Sequence, residues 1–488
     1  MPQQRNKREA SNAKHLEKML AWHFARIGLL GFIRSQRVSV WWNGEDRNNK
    51  LSIAFRDFIL SLIDGKYDDA VRHRKEIADN CTPWLLCCKS FMRLAYVEYA
   101  YFCEATGKRM MDSSAILTTL GISKRKSKVF FDSIHKRLCK SKIAAKTYSA
   151  FLGFKDAEAS YYNLPIRNCA VCATMGAGKS TFINALLGCD VLPARNEATT
   201  AKITSVYDKD GETCIKGVAL TENGRIGWES SDVTLQQLNA INDNKNSVRV
   251  FLQGDFDGIS NTSFIAAIHD TPGTNNSLDS SHHNVTMQFL VQNRIELVIF
   301  ILNAEHPQTT DEKALLEELL QSVVRPHRIQ VLFVLNKSDS IDPQKESLGR
   351  ALDKYREYLR AIGYDNPSIL PTASKLARLI KMSLWQKNAG KIDCALTHAL
   401  TDDENDFLQL QMRRFIDNPL KHCTDYALFL LPQTWSSLKG RIDKANAENQ
   451  RETLALLYTG IPSVEMAIAE YLMVYKSNNF IHKRRVTL

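Results

Sequence analysis

An α/β domain built on a mostly parallel sheet, joined to an α-helical N-terminal region, is predicted by three observations. The stretch Ala173-Thr-Met-Gly-Ala-Gly-Lys-Ser180 stands between an apolar run, Asn168 to Cys172, and a helical pattern, Thr181 to Gly188. From about residue 165 to 375, apolar strand-like runs (Cys169 to Cys172, Phe264 to Ile268, Leu297 to Leu302, Val331 to Leu335) alternate with amphipathic stretches such as Glu312 to Val324 and Leu348 to Ile362. From about residue 12 to 155, patterns of helical period dominate instead. Alternation of the second kind implies parallel strands with helices on both faces and a ligand at the strand C-terminal ends.

The first of these segments reads as a phosphate-binding loop. Small residues let the backbone curl so that successive N–H groups point at a phosphate, and the following helix presents its positive end. Gly176, Ala177, Gly178, Lys179, Ser180 and Thr181 are the candidate phosphate contacts, with Lys179 reaching the β/γ-phosphates and the Ser180 hydroxyl coordinating Mg²⁺. One departure is visible: Ala173 stands where the GxxxxGK[ST] pattern has its first glycine.

Three later segments extend the reading. Asp270-Thr-Pro-Gly273 follows an apolar run ending at His269, where Asp270 can hold the Mg²⁺ shell and the Gly273 amide can sense a γ-phosphate. Asn336-Lys-Ser-Asp339 follows Val331 to Leu335; the Asp339 carboxylate can accept from guanine N1–H and N2–H₂, a pair that adenine lacks on that edge. Thr372-Ala-Ser374 follows Ile369-Leu-Pro371 and supplies a small-residue turn to close over the base. Four such segments in this order predict a P-loop NTPase domain of the GTPase type, with GTP and GDP as ligands.

Composition fits a large globular chain. The 488 residues carry a net charge of +11 and are 44% hydrophobic, enough for two or three domains. Eleven cysteines show no repeated spacing, which favours a reducing, cytoplasmic setting. Cys169-Ala-Val-Cys172 lies in the strand entering the loop and reads as buried small hydrophobes, as do Cys87-Cys88. No apolar run approaches the ~18 residues of a membrane span, and Met1 to Glu9 is not a secretory signal.

Gly178-Lys-Ser-Thr-Phe-Ile-Asn-Ala-Leu-Leu-Gly188, Val191-Leu-Pro193, Asn196-Glu-Ala-Thr-Thr-Ala201, Asp270 to Ser277, and Asn303-Ala304 with Thr309-Thr-Asp311 together resemble the GTPase domain of bacterial dynamin-like proteins. The likeness covers about residues 160–475, because the Gly460-Ile-Pro-Ser-Val-Glu465 segment, with Ser463 expected as a helix N-cap, resembles the element that ends that domain. It implies that Thr200, or Thr199, is the switch threonine closing over metal and γ-phosphate; that Lys179, Ser180 and Thr200 are catalytic; and that Ser180, Thr200 and Asp270 hold Mg²⁺. It implies Gly273 as the second-switch glycine and Asn336, Lys337 and Asp339 as the guanine readers. Eukaryotic dynamins carry Gln and Ser at the positions of Met175 and Gly176, so slow basal hydrolysis is expected here, rising when two GTPase domains meet.

The resemblance leaves the output open. The expected layout is a helical region, 1–155, a GTPase domain, 160–475, and a basic tail, 476–488, too short for a stalk. A homodimer through the GTPase domains, or a hetero-oligomer with a second dynamin-like chain, and remodelling of membranes are implied; the rival is a GTP-controlled switch or scaffold for a protein or nucleic acid. Asn12 to Arg37 forms a basic amphipathic pattern that either lies on an anionic membrane or, as favoured, packs into the bundle. Residues 107–147 hold eleven Lys or Arg against two acids, and Ala115 to Lys124 has a helix-turn-helix outline. Its readings are anionic lipid, nucleic acid, a protein partner or a solvated face. His282-His283 read as loop; Trp41-Trp42 and Tyr426 to Pro432 read as core or as membrane-contacting tips.

Overall fold

The computed structural model describes residues 2–35, 57–58, 61, 66–79, 96, 98–100, 102–103, 117 and 142–474, apart from 193–201, 245–246, 257, 273–279, 388–398 and 419–421. Two compact units are formed, residues 1–164 and 165–488.

In the first unit the described elements are helices: α1 (Pro2–Ser35), α2 (Tyr67–Asp79) and α3 (Lys142–Tyr162). The apolar positions Leu20, Phe24 and Ile27 of α1 are buried, and Phe32 packs on Phe151 and Phe154 of α3 with ring centroids 5.7 and 4.8 Å away. The described part of the stripe read from Asn12 to Arg37 is therefore packing surface. Even Arg26 is buried, its guanidinium 5.6 Å from the Trp22 ring. Trp41-Trp42, Cys87-Cys88 and most of the basic segment 107–147, including nearly all of its helix-turn-helix outline, lie outside the described residues.

The second unit is a nine-stranded sheet in the order β4-β3-β5-β2-β6-β1-β7-β8-β9. β1 (Ile166–Ala173), β6 (Ile265–Asp270), β7 (Ile295–Asn303), β8 (Gln330–Asn336) and β9 (Ser368–Pro371) pair in parallel. Their apolar runs are continuous because both faces are covered. Within β1, Cys169 belongs to the core under one face and Cys172 to the core under the other, the alternation expected of a strand. Burial pushes the Cys172 thiol up to about 12, so both behave as inert small hydrophobes.

The other half, β2 (Ile203–Asp208), β3 (Lys216–Thr221), β4 (Ile226–Ser230) and β5 (Ser247–Gly254), is joined through an antiparallel β2–β6 pair. These strands escape a reading by apolar runs. Gly217 and Gly227 interrupt β3 and β4, and charged or polar residues break the apolar runs of β2 and β5, although Asn223-Gly224 carries a hairpin signal.

Helices fill both faces: α4 (Lys179–Leu187), α5 (Leu235–Asp243), α6 (Ser280–Gln292), α7 (Thr310–Leu319, followed by a π turn Leu320–Val324), α8 (Leu348–Ile362), α9 (Ser374–Lys387), α10 (Asp402–Asp417), α11 (Pro432–Ala447), α12 (Arg451–Tyr458) and α13 (Ile461–Val474). α8 begins where Ser347 accepts from Arg350 N and ends at Gly363 with φ +111°. Two expectations are corrected, and a third reading is divided. His282 and His283 lie in α6, not in a loop. Ser463 sits inside the first turn of α13, because the helix already starts at Ile461, and its buried hydroxyl has no hydrogen-bond partner among the described residues. In the Tyr426 to Pro432 run, Ala427 and Leu430 are core, while Leu428 points outward.

Gly460 turns the chain between α12 and α13 at φ +80°, and an added Cβ would run into the Pro371 carbonyl. α13 is then fixed by a fully buried ion pair, Lys381 Nζ to Glu465 Oε1 at 2.7 Å, whose ammonium also donates to Leu186 O at 2.9 Å. The pair joins α9, α13 and the end of α4. Lys381→Met should destabilise the protein by about 3–5 kcal/mol by stranding a buried carboxylate, whereas Lys381→Met combined with Glu465→Leu should recover most of that loss in thermal unfolding.

Candidate nucleotide site

All five parallel strands end on one side of the sheet, and the residues singled out in the sequence follow those ends. In the parallel registers Asp270 stands beside Val171, Asn336 beside Asn303, and Pro371 beside Leu335. The phosphate loop leaves β1 there. Ala173 is the last residue of that strand, with its methyl in the core, so the position makes no demand for a glycine. Gly176 and Gly178 do the turning, at φ +76° and +88°. Gly178 leads into α4, which starts at Lys179 and aims its free N–H groups at the loop. A Cβ on Gly178 would meet Asn336 Nδ2 at 2.5 Å.

That contact identifies the central staple. Asn336 is buried; its Nδ2 donates to Ala177 O at 3.0 Å, while its Oδ1 accepts from Thr372 Oγ1 and Ser374 N, both at 3.3 Å. One amide thus ties the phosphate loop to the ends of β8 and β9. Asn303 makes a parallel tie, with Nδ2 donating to Gly176 O at 3.4 Å and Tyr355 Oη donating to its carbonyl at 2.8 Å. Lys337 takes a left-handed φ of +60°, and its ammonium reaches Glu305 at 2.6 Å. Lys179 Nζ pairs with the Asp270 carboxylate, so the two come together across β1 and β6.

Gly178, Thr181, Glu305, Asn336, Lys337 and Asp339 are among the residues that line a cleft of about 640 Å³. Ser180 stands in the first turn of α4 beside Lys179. A hydroxyl there and a carboxylate at Asp270 form a hard-oxygen donor set that suits Mg²⁺. Thr199, Thr200 and Gly273 lie outside the described residues.

Sequence reading missed several residues in and around the cleft, because they act through side-chain contacts that no local pattern records. Asn184 of α4 accepts from Val191 N and Leu192 N at 3.1 and 2.8 Å, fixing the chain that runs on toward residue 193. Arg378 donates to both Asp190 oxygens (2.6 and 2.5 Å) and to Glu404 at 2.8 Å. Lys202 Nζ reaches Ile241 O, Asn242 O and Asn244 O at 2.6 to 2.8 Å, capping the C-terminal end of α5, whose Leu235 and Asn239 line the cleft. His269 bridges Ser205 and Asn168 at 2.8 and 3.0 Å. Burial, with Arg249 nearby, drives its pKa down to about 3, so the ring works as a neutral strand-to-strand tie.

Residues 169–338 match the model of the dynamin family. The α/β unit carries a dynamin-type GTPase domain. A Caldicellulosiruptor sp. (strain Rt8B.4) protein described as an uncharacterized protein in the xynA 3′ region is 25% identical over 237 residues, which span 48% of this chain and 54% of that one. The match thus takes in about half the length of that curated relative. Among solved structures, a chain of an oligomerised bacterial dynamin pair, described as sensing and tethering membranes, is similar with a TM-score of 0.35 at 15% identity, over 74% of this chain and 55% of that one. A variant of Aquifex aeolicus Era bound to GDP.AlF4- has a TM-score of 0.26 at 19% identity, over 45% and 56%.

The GTPase domain also buries a carboxylate beside its phosphate loop. Glu312, 1% exposed, accepts from the backbone of Gln308 and Asn303, and burial pushes its pKa up to about 7. It holds a loop in which Gln308 takes φ +57° and from which Asn303 reaches Gly176. A raised folded-state pKa means that Glu312 favours the fold fully only below its ordinary value of 4.5, and that this contribution is lost as pH rises through about 7. The melting temperature of the wild type minus that of Glu312→Gln should therefore fall as pH is raised across this window, a difference that thermal scans in matched buffers will measure.

Proposed function

We propose that residues 160–475 form the GTPase domain, which binds GTP in the cleft with Mg²⁺ and hydrolyses it to GDP and phosphate. The observation that carries this reading is the Asn336 staple: it ties the Lys179-bearing phosphate loop to the strand ends beside the cleft that Asp339 lines. The α4 N-terminal amides and Lys179 bind the phosphates. Asp339 accepts from the guanine edge, and Asn336 and Lys337 hold that loop in register. Ser180, Asp270 and Thr200 would hold Mg²⁺, which when bound neutralises charge on the β/γ-phosphate oxygens. Release of Lys179 from Asp270 frees the ammonium for phosphate and the carboxylate for the metal shell.

Neither Met175, which projects outward, nor Gly176 offers a side chain able to orient water. Basal turnover is then slow, and rises when a second GTPase domain covers the nucleotide face. By family resemblance the output is remodelling of a membrane surface by a homodimer or a hetero-oligomer with a second dynamin-like chain. Among the described residues no helix is long and apolar enough to cross a membrane, which fits a peripheral approach.

GTP hydrolysis measured across a wide protein concentration range, with and without anionic liposomes, tests this. Specific activity should climb with concentration and again with lipid; a flat rate despite tight GTP binding would favour a GTP-controlled switch that binds a protein partner. Asp339→Asn should cut the preference for GTP over ATP by about tenfold or more in competition binding, since it removes a charged double acceptor. An unchanged preference would refute its base-reading role.

A further inference from the structure

We infer that Phe407, on α10, is the aromatic wall against which the nucleotide base stacks. This rests on the cleft being the nucleotide site. α10 lies far beyond residues 169–338, yet Phe407 lines the same cleft as Asn336, Lys337 and Asp339, the loop that would read the base edge. A carboxylate reads a purine only in the plane of its ring, so the faces of that ring must meet something else. Phe407 is the aromatic side chain among the cleft-lining residues.

The helix is also built to hold it there. Thr401 and Glu404 form a reciprocal capping box at the start of α10, and Glu404 uses its other oxygen to accept from Arg378. Arg378, itself mostly buried, is clamped on Asp190 as well. α10 is thus bound to α9 and to the end of the α4 turn, one turn from Phe407. The ring remains half-buried, with the Lys375 ammonium 4.2 Å from its centroid. The cation lies over a ring that lines the cleft, so a stacking base would take that face by displacing the ammonium. Lys375 directly follows Ser374, whose N–H binds Asn336, so ring, cation and base-reading loop form one continuous wall.

Stacking tolerates any base, whereas Asp339 selects guanine. The two residues therefore divide the work into grip and choice. Calorimetric titration of the full chain with GDP, ADP and inorganic tripolyphosphate separates them. Phe407→Leu keeps an apolar side chain of similar bulk and should weaken GDP about tenfold while leaving tripolyphosphate affinity unchanged. Phe407→Trp should retain GDP affinity and show indole quenching on GDP addition that the wild type lacks. GDP affinity unchanged in Phe407→Leu, or GDP and tripolyphosphate weakened alike, would overturn the assignment. If the wild type binds ADP as tightly as GDP, the guanine reading falls, and the Leu-to-wild-type ratio still decides the role of Phe407. Absence of nucleotide binding by the wild type overturns both.

Discussion

The geometry of the cleft depends on a single amide. A phosphate loop is a run of backbone with left-handed turns and unpaired N–H groups, and left alone it would cost conformational entropy to hold open. Asn336 supplies the restraint, because its donor end holds Ala177 and its acceptor end holds Thr372 and Ser374. Both ends of the side chain are satisfied inside the protein, where an unsatisfied amide would be expensive. Gly178 is the steric counterpart, leaving the room that Asn336 occupies. The loop that faces phosphate and the loop that faces the base are thereby one mechanical piece.

Around that piece the helices act as fasteners between distant segments. Arg378 ties Asp190 to Glu404, Lys381 ties Leu186 to Glu465, and Asn184 fixes Val191 and Leu192. Each fastener starts on α4 or α9, the two helices that open directly from the phosphate and base loops. α9 is thus joined directly to α10 and α13 by side chains, in addition to the strands that precede it.

Much of this was legible in the sequence, for physical reasons that differ by element. The parallel strands announce themselves as unbroken apolar runs because they are covered on both faces, and the phosphate loop because its backbone needs glycines at 176 and 178. α8 was readable to its ends, since Ser347 and Gly363 are local signals. The mixed half, β2 to β5, was not, and in β3 and β4 Gly217, Gly227 and charged residues break the periodicity that would reveal strands. Phe407 and Arg378 were silent for another reason: each matters through a partner far along the chain, and nothing in their neighbourhood records it. Ser463 shows the opposite failure, a local capping signal overridden by a helix that begins earlier to satisfy its packing.

The margins of the sheet carry a consequence of their own. β4 is five residues long, only partly buried, and its pairing with β3 slips register between Ala219 and Leu220. At the opposite margin β9 has four residues and ends in Pro371, which has no N–H to offer, while Tyr471 of α13 binds Ser368 at 3.2 Å. Short, irregular and proline-ended margins are poor templates for a further strand. Both margins of the sheet are thus ill suited to runaway growth by strand addition.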